Sequence, residues 1–126
     1  MNVPVAVRLI LTLLLVAFIV TVSVVPGRSQ PGDSAFVWLV SVTPEPLQKL
    51  LHIVAYAVLA WLWMWTLEAI NSNSLRVAAA FFVTVAMGMI LEWYQTSVPG
   101  RYGTLADVIL NALGSIAGVI AALFLL

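Results

Sequence analysis

Four long apolar runs, separated by shorter polar or turn-forming stretches, dominate the pattern of the chain. They extend over residues 5–25, 47–70, 75–95 and 105–126. Each run is about as long as the roughly 20 residues that an α-helix needs to cross a bilayer. The pattern therefore predicts an all-α integral membrane protein: an antiparallel bundle of four transmembrane helices, in a single domain over residues 1–126.

Turn-forming residues separate the predicted helices. Pro26-Gly27 ends the first run and Pro99-Gly100 follows the third, because proline cannot continue the helical hydrogen-bond ladder. The first run lacks the small-residue cleavage pattern of a secretory signal, so we expect a retained helix. The loop to the second helix is partly apolar over residues 35–42, a segment too short to span, with Trp38 expected at headgroup depth.

Composition supports a membrane protein and excludes several classes of function. The chain is 63% hydrophobic and 8% charged, with a mean hydropathy of +1.13, whereas soluble domains carry roughly 25% charged residues. The formal net charge is zero, which gives no electrostatic basis for binding nucleic acid. The absence of cysteine excludes disulfides, thiolate metal sites and thiol catalysis.

Polar residues gather near helix ends, and counting the passes of four antiparallel helices places most of them at one membrane face. The start of the second helix, the end of the third and the start of the fourth should meet there. Arg8, Glu68 and Arg76 fall at the opposite face. Ionisable residues inside a membrane usually mark a function. The predicted polar site comprises Lys49, His52, Tyr56, Glu92, Gln95, Arg101, Asp107 and Asn111.

Each of these residues also has a structural interpretation. Lys49 can extend its amine to the headgroups, and His52 can hydrogen-bond between helices. Glu92 can form an ion pair with a nearby cation. Asp107 lies in the first turn of its helix, where the helix dipole favours a carboxylate.

Two further residues of the predicted site, Arg101 and Asn111, also have structural interpretations. Arg101, in a Pro-Gly-Arg turn, can be an interface anchor or a clamp for phosphate. Asn111, one turn deeper than Asp107, is expected to hydrogen-bond across to another helix. Three glycines in the apolar runs predict close helix packing, and two of them form a GxxxG pair: Gly88, Gly114 and Gly118.

The order and spacing of these residues resemble the VanZ-like family of bacterial membrane proteins. The resemblance covers residues 48–118, with one departure: Gln48 stands where the family usually has aspartate. The founding member is associated with low-level resistance to teicoplanin, a glycopeptide antibiotic. The resemblance therefore implies a role in the cell envelope, without a reaction. It is carried by Lys49, His52, Tyr56, Glu92, Gln95, Arg101, Asp107, Asn111, Gly114 and Gly118.

Three functions remain open, and we favour the first. In the first, Lys49, His52 and Arg101 bind the anionic headgroup of a membrane lipid or of a lipid-linked cell-wall precursor. In the second, an intramembrane enzyme acts on such a headgroup using His52 with Glu92 or Asp107, although no nucleophile motif supports it. In the third, a small homo-oligomer transports a solute. No cofactor is predicted, and the spacing of one histidine and two acids indicates no metal site.

The distribution of positively charged side chains favours one orientation in the membrane by a small margin. Arg28, Lys49 and Arg101 fall on the side of the polar site, against Arg8 and Arg76 on the other. Arg8 flanks the first helix as a cytoplasmic anchor would. We expect a multi-pass protein of the bacterial inner membrane with both termini in the cytoplasm and the polar site outside.

Overall fold

The computed structural model describes residues 3–23, 35, 38, 42, 44–95 and 105–126. Four α-helices lie in these ranges, each long and apolar enough to cross a membrane. The predicted all-α fold with four transmembrane helices is confirmed, and the protein is a multi-pass membrane protein. Most of the partly apolar loop expected after the first helix lies outside the described residues. The helices are α1 Val5–Ser23, α2 Glu45–Thr66, α3 Asn73–Gln95 and α4 Leu105–Leu125.

The ends of α2 differ most from the bounds expected from the apolar pattern. The helix begins at Glu45 rather than near residue 47, because Pro46 stands in the first turn, where a backbone N–H has no intrahelical partner to lose. It ends at Thr66 rather than near residue 70. There Leu67 donates its N–H to Trp63, and the chain then tightens into a turn.

The short turn into α3 is closed by its own capping residue. Ser72 precedes the helix, and its Oγ accepts a hydrogen bond from the N–H of Leu75 at 3.3 Å. Its backbone carbonyl accepts the N–H of Arg76 at 3.0 Å. A serine at this position satisfies N–H groups that a helix start would otherwise leave unpaired.

Contacts between the helices fix their relative directions. The early residue Arg8 of α1 meets the end of α2, whereas Ile19 near the end of α1 packs beside Tyr56 in the middle of α2. These contacts run in opposite order along the two helices. The pairs Gly114–Ile53 and Gly118–Ala57, in contrast, run in the same order along α4 and α2.

Helices α2 and α4 form the most extensive interface of the fold. A Cβ on Gly114 would lie 2.6 Å from the carbonyl oxygen of Ile53, and one on Gly118 would lie 2.0 Å from that of Ala57. Only glycine allows two backbones to come this close. The remaining helices pack beside this central pair, and α3 contacts both of its members.

Candidate functional site

The contact between Gly88 and Asn111 sets the register of α3 against α4. The Asn111 side chain packs on Gly88, where an added Cβ would lie 2.2 Å from Nδ2. Deeper in the bundle Ala80 belongs to the same core cluster as Val119, so the two helices run in opposite directions. One helical turn outward from this contact, Glu92 on α3 therefore comes level with Asp107 on α4.

The two acids of the predicted polar site thus stand at one depth near the end of the bundle. Glu92 is 5% exposed, and Asp107 is half-buried in the first turn of α4. Carboxylates in an apolar surrounding lie in a medium of low dielectric constant, where charged neighbours act strongly on them. The two carboxylates therefore lie at a similar level on neighbouring helices.

Helix α2 presents a stacked aromatic pair to the carboxylates. The rings of His52 and Tyr56 lie 4.7 Å apart and nearly parallel. His52 is within electrostatic range of Asp107, and Tyr56 is within range of Glu92. The atom Nε2 of His52 is buried and has no hydrogen-bond partner among the described residues. The imidazole therefore lies within electrostatic range of a carboxylate and has one buried ring nitrogen unsatisfied by the described residues.

Lys49 lies at the outer edge of this arrangement. It precedes His52 by about one helical turn on α2 and is exposed at the surface of the bundle. The charged end of a lysine stem can extend from such a position to a headgroup or to a ligand over the site.

Gln95 joins two helices at the same end of the bundle. Its Nε2 donates a hydrogen bond of 3.2 Å to the backbone carbonyl of Ser23, the last residue of α1. That carbonyl belongs to the last turn, whose C=O groups lack intrahelical partners. This hydrogen bond gives Gln95 a structural role, because it links the end of α3 to the end of α1.

Asn111 differs from its expected structural role. It is fully buried, yet neither Nδ2 nor Oδ1 has a hydrogen-bond partner in the described part of the chain. The expected hydrogen bond across to another helix is therefore wrong, because the residue facing Asn111 is Gly88, which has no side chain to offer. An amide buried in this way costs free energy unless something else satisfies it.

The structure describes seven of the eight predicted residues and places them toward one end of the bundle, on α2, α3 and α4. Arg101 lies outside the described residues. The described residues contain no group of three or more His, Cys, Asp or Glu side chains that could hold a metal ion. The rings of His52 and Tyr56 stack, and these two side chains lie within electrostatic range of Asp107 and Glu92 respectively. Lys49 lies one turn further out on the same helix.

A comparison with protein families finds the model of the VanZ/LLP1 family matching residues 8–126. The chain belongs to the VanZ/LLP1 family. No curated protein matches the chain, and no solved structure matches it. The match of the VanZ/LLP1 family extends well beyond residues 48–118, the part in which the sequence motifs alone carried a resemblance. It includes most of α1 and the whole of the other three helices.

This VanZ/LLP1 protein also has a second polar cluster, at the opposite end of the bundle, whose pairings the sequence did not reveal. Arg8 forms an ion pair with Glu68, and it donates hydrogen bonds to the carbonyls of Val3 at 2.9 Å and Trp65 at 3.1 Å. Its guanidinium also lies 5.0 Å from the centre of the Trp65 ring. The sequence placed Arg8, Glu68 and Arg76 at one face but did not indicate which of them pair.

The second arginine of this cluster donates hydrogen bonds to a backbone carbonyl in the last turn of α2. Arg76, on α3, donates from Nε to the carbonyl of Met64 at 2.7 Å, and its Nη2 donates to the same oxygen. One turn along α1 from Arg8, the hydroxyls of Thr12 and Thr66 lie 2.9 Å apart, both buried. These contacts give the polar residues at this end of the bundle a structural role.

Proposed function

We propose that this protein binds the anionic headgroup of a membrane lipid or of a lipid-linked cell-wall precursor. The headgroup would be held where α2, α3 and α4 meet at one membrane face. Lys49 supplies a point charge and His52 supplies Nε2. Arg101, which lies between α3 and α4 in the sequence, supplies the planar donor fork that suits phosphate oxygens. Glu92 and Asp107 orient these cations.

The observation that carries the proposal is the ring nitrogen Nε2 of His52, which no described residue satisfies. Nε2 is buried without a hydrogen-bond partner among the described residues, one helical turn inside an exposed lysine. Polar groups in the interior of a membrane protein are costly unless they are paired. A phosphate oxygen would accept a hydrogen bond from Nε2–H.

Membership of the VanZ/LLP1 family supports a role in the cell envelope, including resistance to glycopeptide antibiotics. We propose further that the protein lies in the bacterial inner membrane with its polar site outward and both termini in the cytoplasm. In that orientation the site faces the leaflet in which a cell-wall precursor is used.

Binding can be tested directly with phosphatidylglycerol as the anionic probe and phosphatidylcholine as the zwitterionic one. Native mass spectrometry of the protein in detergent should show more retained phosphatidylglycerol than phosphatidylcholine. The variants Lys49→Gln, His52→Phe and Arg101→Gln should each reduce that preference about tenfold, the effect of losing one charged hydrogen bond of about 1.4 kcal/mol.

The control for this experiment is Arg76→Gln, which removes a cation from the opposite end of the bundle. Its folded fraction should keep the preference for phosphatidylglycerol. Equal retention of both lipids by the unaltered protein, or an equal loss of preference in Arg76→Gln, would contradict the proposed site.

The proximity of His52 to Asp107 favours one alternative, an enzyme acting on a lipid-linked headgroup. An imidazole beside a carboxylate can act as a general base towards water. Turnover of a lipid-linked diphosphate by the purified protein, lost in both His52→Gln and Asp107→Asn, would establish this reading. Binding without turnover would leave the protein as a binding protein.

A homo-oligomeric transporter receives less support from the packing. The glycine face of α4 that could have served as its interface lies against α2 of the same chain, at Ile53 and Ala57. An oligomer would need a different surface. Crosslinking in native membranes would detect it.

A further inference from the structure

The interface between α3 and α4 carries a row of polar side chains that continues inward from the predicted polar site. We call this row the α3–α4 seam; it consists of Thr84, Gly88, Asn111 and Ser115. Thr84 lies one turn from Gly88 on α3, and Ser115 lies one turn from Asn111 on α4. Because Gly88 faces Asn111 and the two helices run in opposite directions, Thr84 and Ser115 come level on the inner side of that contact.

All three polar side chains of the seam are completely buried. Thr84, Asn111 and Ser115 have relative exposures of 0%. They lie within candidate membrane spans, where hydrocarbon surrounds the bundle and supplies no hydrogen bonds. Any group that satisfies them must therefore lie inside the seam.

The hydroxyl groups of the seam are turned into pure acceptors by their own helices. Thr84 donates its hydroxyl hydrogen to the carbonyl of Ala80 at 2.7 Å. Ser115 donates its own to the carbonyl of Asn111, also at 2.7 Å. A hydroxyl has one hydrogen and two lone pairs, so each oxygen keeps lone pairs but no hydrogen for the seam.

Asn111 adds an amide oxygen that nothing in the described residues satisfies. Oδ1 and Nδ2 are both buried without a hydrogen-bond partner in the described part of the chain, so one amide NH₂ stands against the lone pairs of three oxygens. The Asn111 atom nearest Gly88 is Nδ2, and Oδ1 is not among the three atoms closest to it. The seam thus gathers three neutral oxygens with lone pairs, one turn inside the carboxylates of Glu92 and Asp107. An excess of acceptors in a medium of low dielectric constant favours a cation.

The chemistry of these ligand oxygens determines which kind of cation the seam can bind. Hydroxyl and amide oxygens are hard ligands, which suit alkali and alkaline-earth ions and not the metals that prefer histidine or thiolate. Neutral oxygens cannot offset two positive charges in a buried site, so a monovalent ion fits best. The Asn111 side chain packs so closely on Gly88 that an ion held between α3 and α4 has to be small.

We propose that the α3–α4 seam binds a sodium ion through Thr84 Oγ1, Asn111 Oδ1 and Ser115 Oγ. The ion enters from the membrane face past Glu92 and Asp107. Sodium bound there ties the two helices together and stabilises the fold by mass action. This inference is independent of the proposed headgroup site, which rests on residues nearer the surface.

The test compares thermal unfolding of the purified protein in sodium, potassium and choline chloride at equal ionic strength. Sodium, at concentrations well above its Kd, should raise Tm by about 5 °C over choline chloride, and potassium should raise it less. Uptake of radioactive sodium by the purified protein should saturate near one ion per chain.

Two variants test the location of the site, each against its own value in choline chloride. Thr84→Val keeps the shape of the side chain and removes the hydroxyl, and Ser115→Ala removes the other. Both should abolish the sodium-specific rise in Tm. The matched control is Thr21→Val. Thr21 makes the same hydrogen bond to the carbonyl one turn back, at 2.7 Å from Ala17, but is exposed on α1. This variant should keep the full sodium effect.

Two results would overturn the sodium site. One is an equal Tm of the unaltered protein in sodium, potassium and choline chloride, which would indicate that the seam is filled by water. The other is a sodium effect that persists in both Thr84→Val and Ser115→Ala. Neither result bears on retention of phosphatidylglycerol, so failure of this site and failure of the headgroup site are distinguishable.

Discussion

At the scale of single residues, Gly118 decides how closely α4 approaches α2. A Cβ at this position would lie 2.0 Å from the carbonyl oxygen of Ala57, and that oxygen belongs to a helix backbone that cannot rotate away. A gain in helix propensity of about 1 kcal/mol accompanies a change from glycine to alanine. The steric clash opposes it and is larger.

We therefore predict that Gly118→Ala lowers the free energy of unfolding by about 1–3 kcal/mol, as overpacking of a tight interface does. Unfolding in detergent measures the change. The control is Ala86→Val, which adds more volume at an exposed position of α3. It should change stability by less than about 0.5 kcal/mol. A destabilisation of equal size in both variants would contradict the role of Gly118.

Arg8 and Glu68 form an ion pair whose two partners have unequal surroundings. The side chain of Arg8 is 12% exposed and that of Glu68 is 51% exposed. Arg8 also donates to two backbone carbonyls, whereas exposure screens the carboxylate.

The expected effects of substitution are therefore asymmetric. Glu68→Gln should cost less than about 1 kcal/mol of stability, as exposed ion pairs do. Arg8→Met keeps the apolar stem and removes every donor, and should cost about 2–3 kcal/mol. Unfolding of both variants in the same detergent is the measurement. Equal costs would show that the ion pair, rather than the carbonyl contacts, holds this end together.

At the scale of elements, the C-terminal end of α2 depends on arginines from two other helices. Its last carbonyls have no intrahelical donors. Arg8 of α1 donates to the carbonyl of Trp65, and Arg76 of α3 donates to that of Met64. The positive charges also oppose the partial negative charge of a helix C-terminus. These contacts explain how a helix can end in a tight turn near the membrane surface.

We predict that Arg76→Met speeds hydrogen–deuterium exchange of backbone amides at the end of α2 by about tenfold or more. A hydrogen bond from a charged donor contributes about 1.5–3 kcal/mol, and each 1.4 kcal/mol is a factor of ten. Ser72→Ala is the control, since it removes the cap of α3 and should affect only amides at the start of that helix. Unchanged exchange at the end of α2 in Arg76→Met would refute this role.

At the scale of the whole molecule, the fold separates two polar ends. The cluster of Lys49 and Asp107 lies at one end of the bundle, and the cluster of Arg8 and Arg76 lies at the other. Because the chain has no cysteine, single cysteine variants can report the compartment of each end.

Labelling with a membrane-impermeant maleimide on intact cells should therefore place positions in two groups. The Lys49→Cys and Tyr94→Cys variants should react from the same side, and Asn71→Cys from the opposite side, since all three residues are exposed. A reporter fused after Leu126 assigns the absolute orientation. Reaction of Lys49→Cys and Asn71→Cys from one side would overturn the proposed common site.

Much of this fold could be predicted from the sequence. A bilayer requires about 20 apolar residues per helix and excludes unpaired backbone, so the number of helices followed from the apolar runs. The position of Lys49, Glu92 and Asp107 near one end followed from counting passes. The end of α2 at Thr66 did not follow, because contacts with Arg8 and Arg76 decide where that helix stops.

The sequence alone determined which residues are apolar enough to cross a membrane, and near which end each polar side chain falls. Those properties depend only on helix rise and on transfer into hydrocarbon. Only the tertiary structure decided that Asn111 faces Gly88 and is left without a partner in the described residues. It also decided that Arg8 meets Glu68. These outcomes depend on the rotation and spacing of packed helices, which the periodicity of a single helix does not specify.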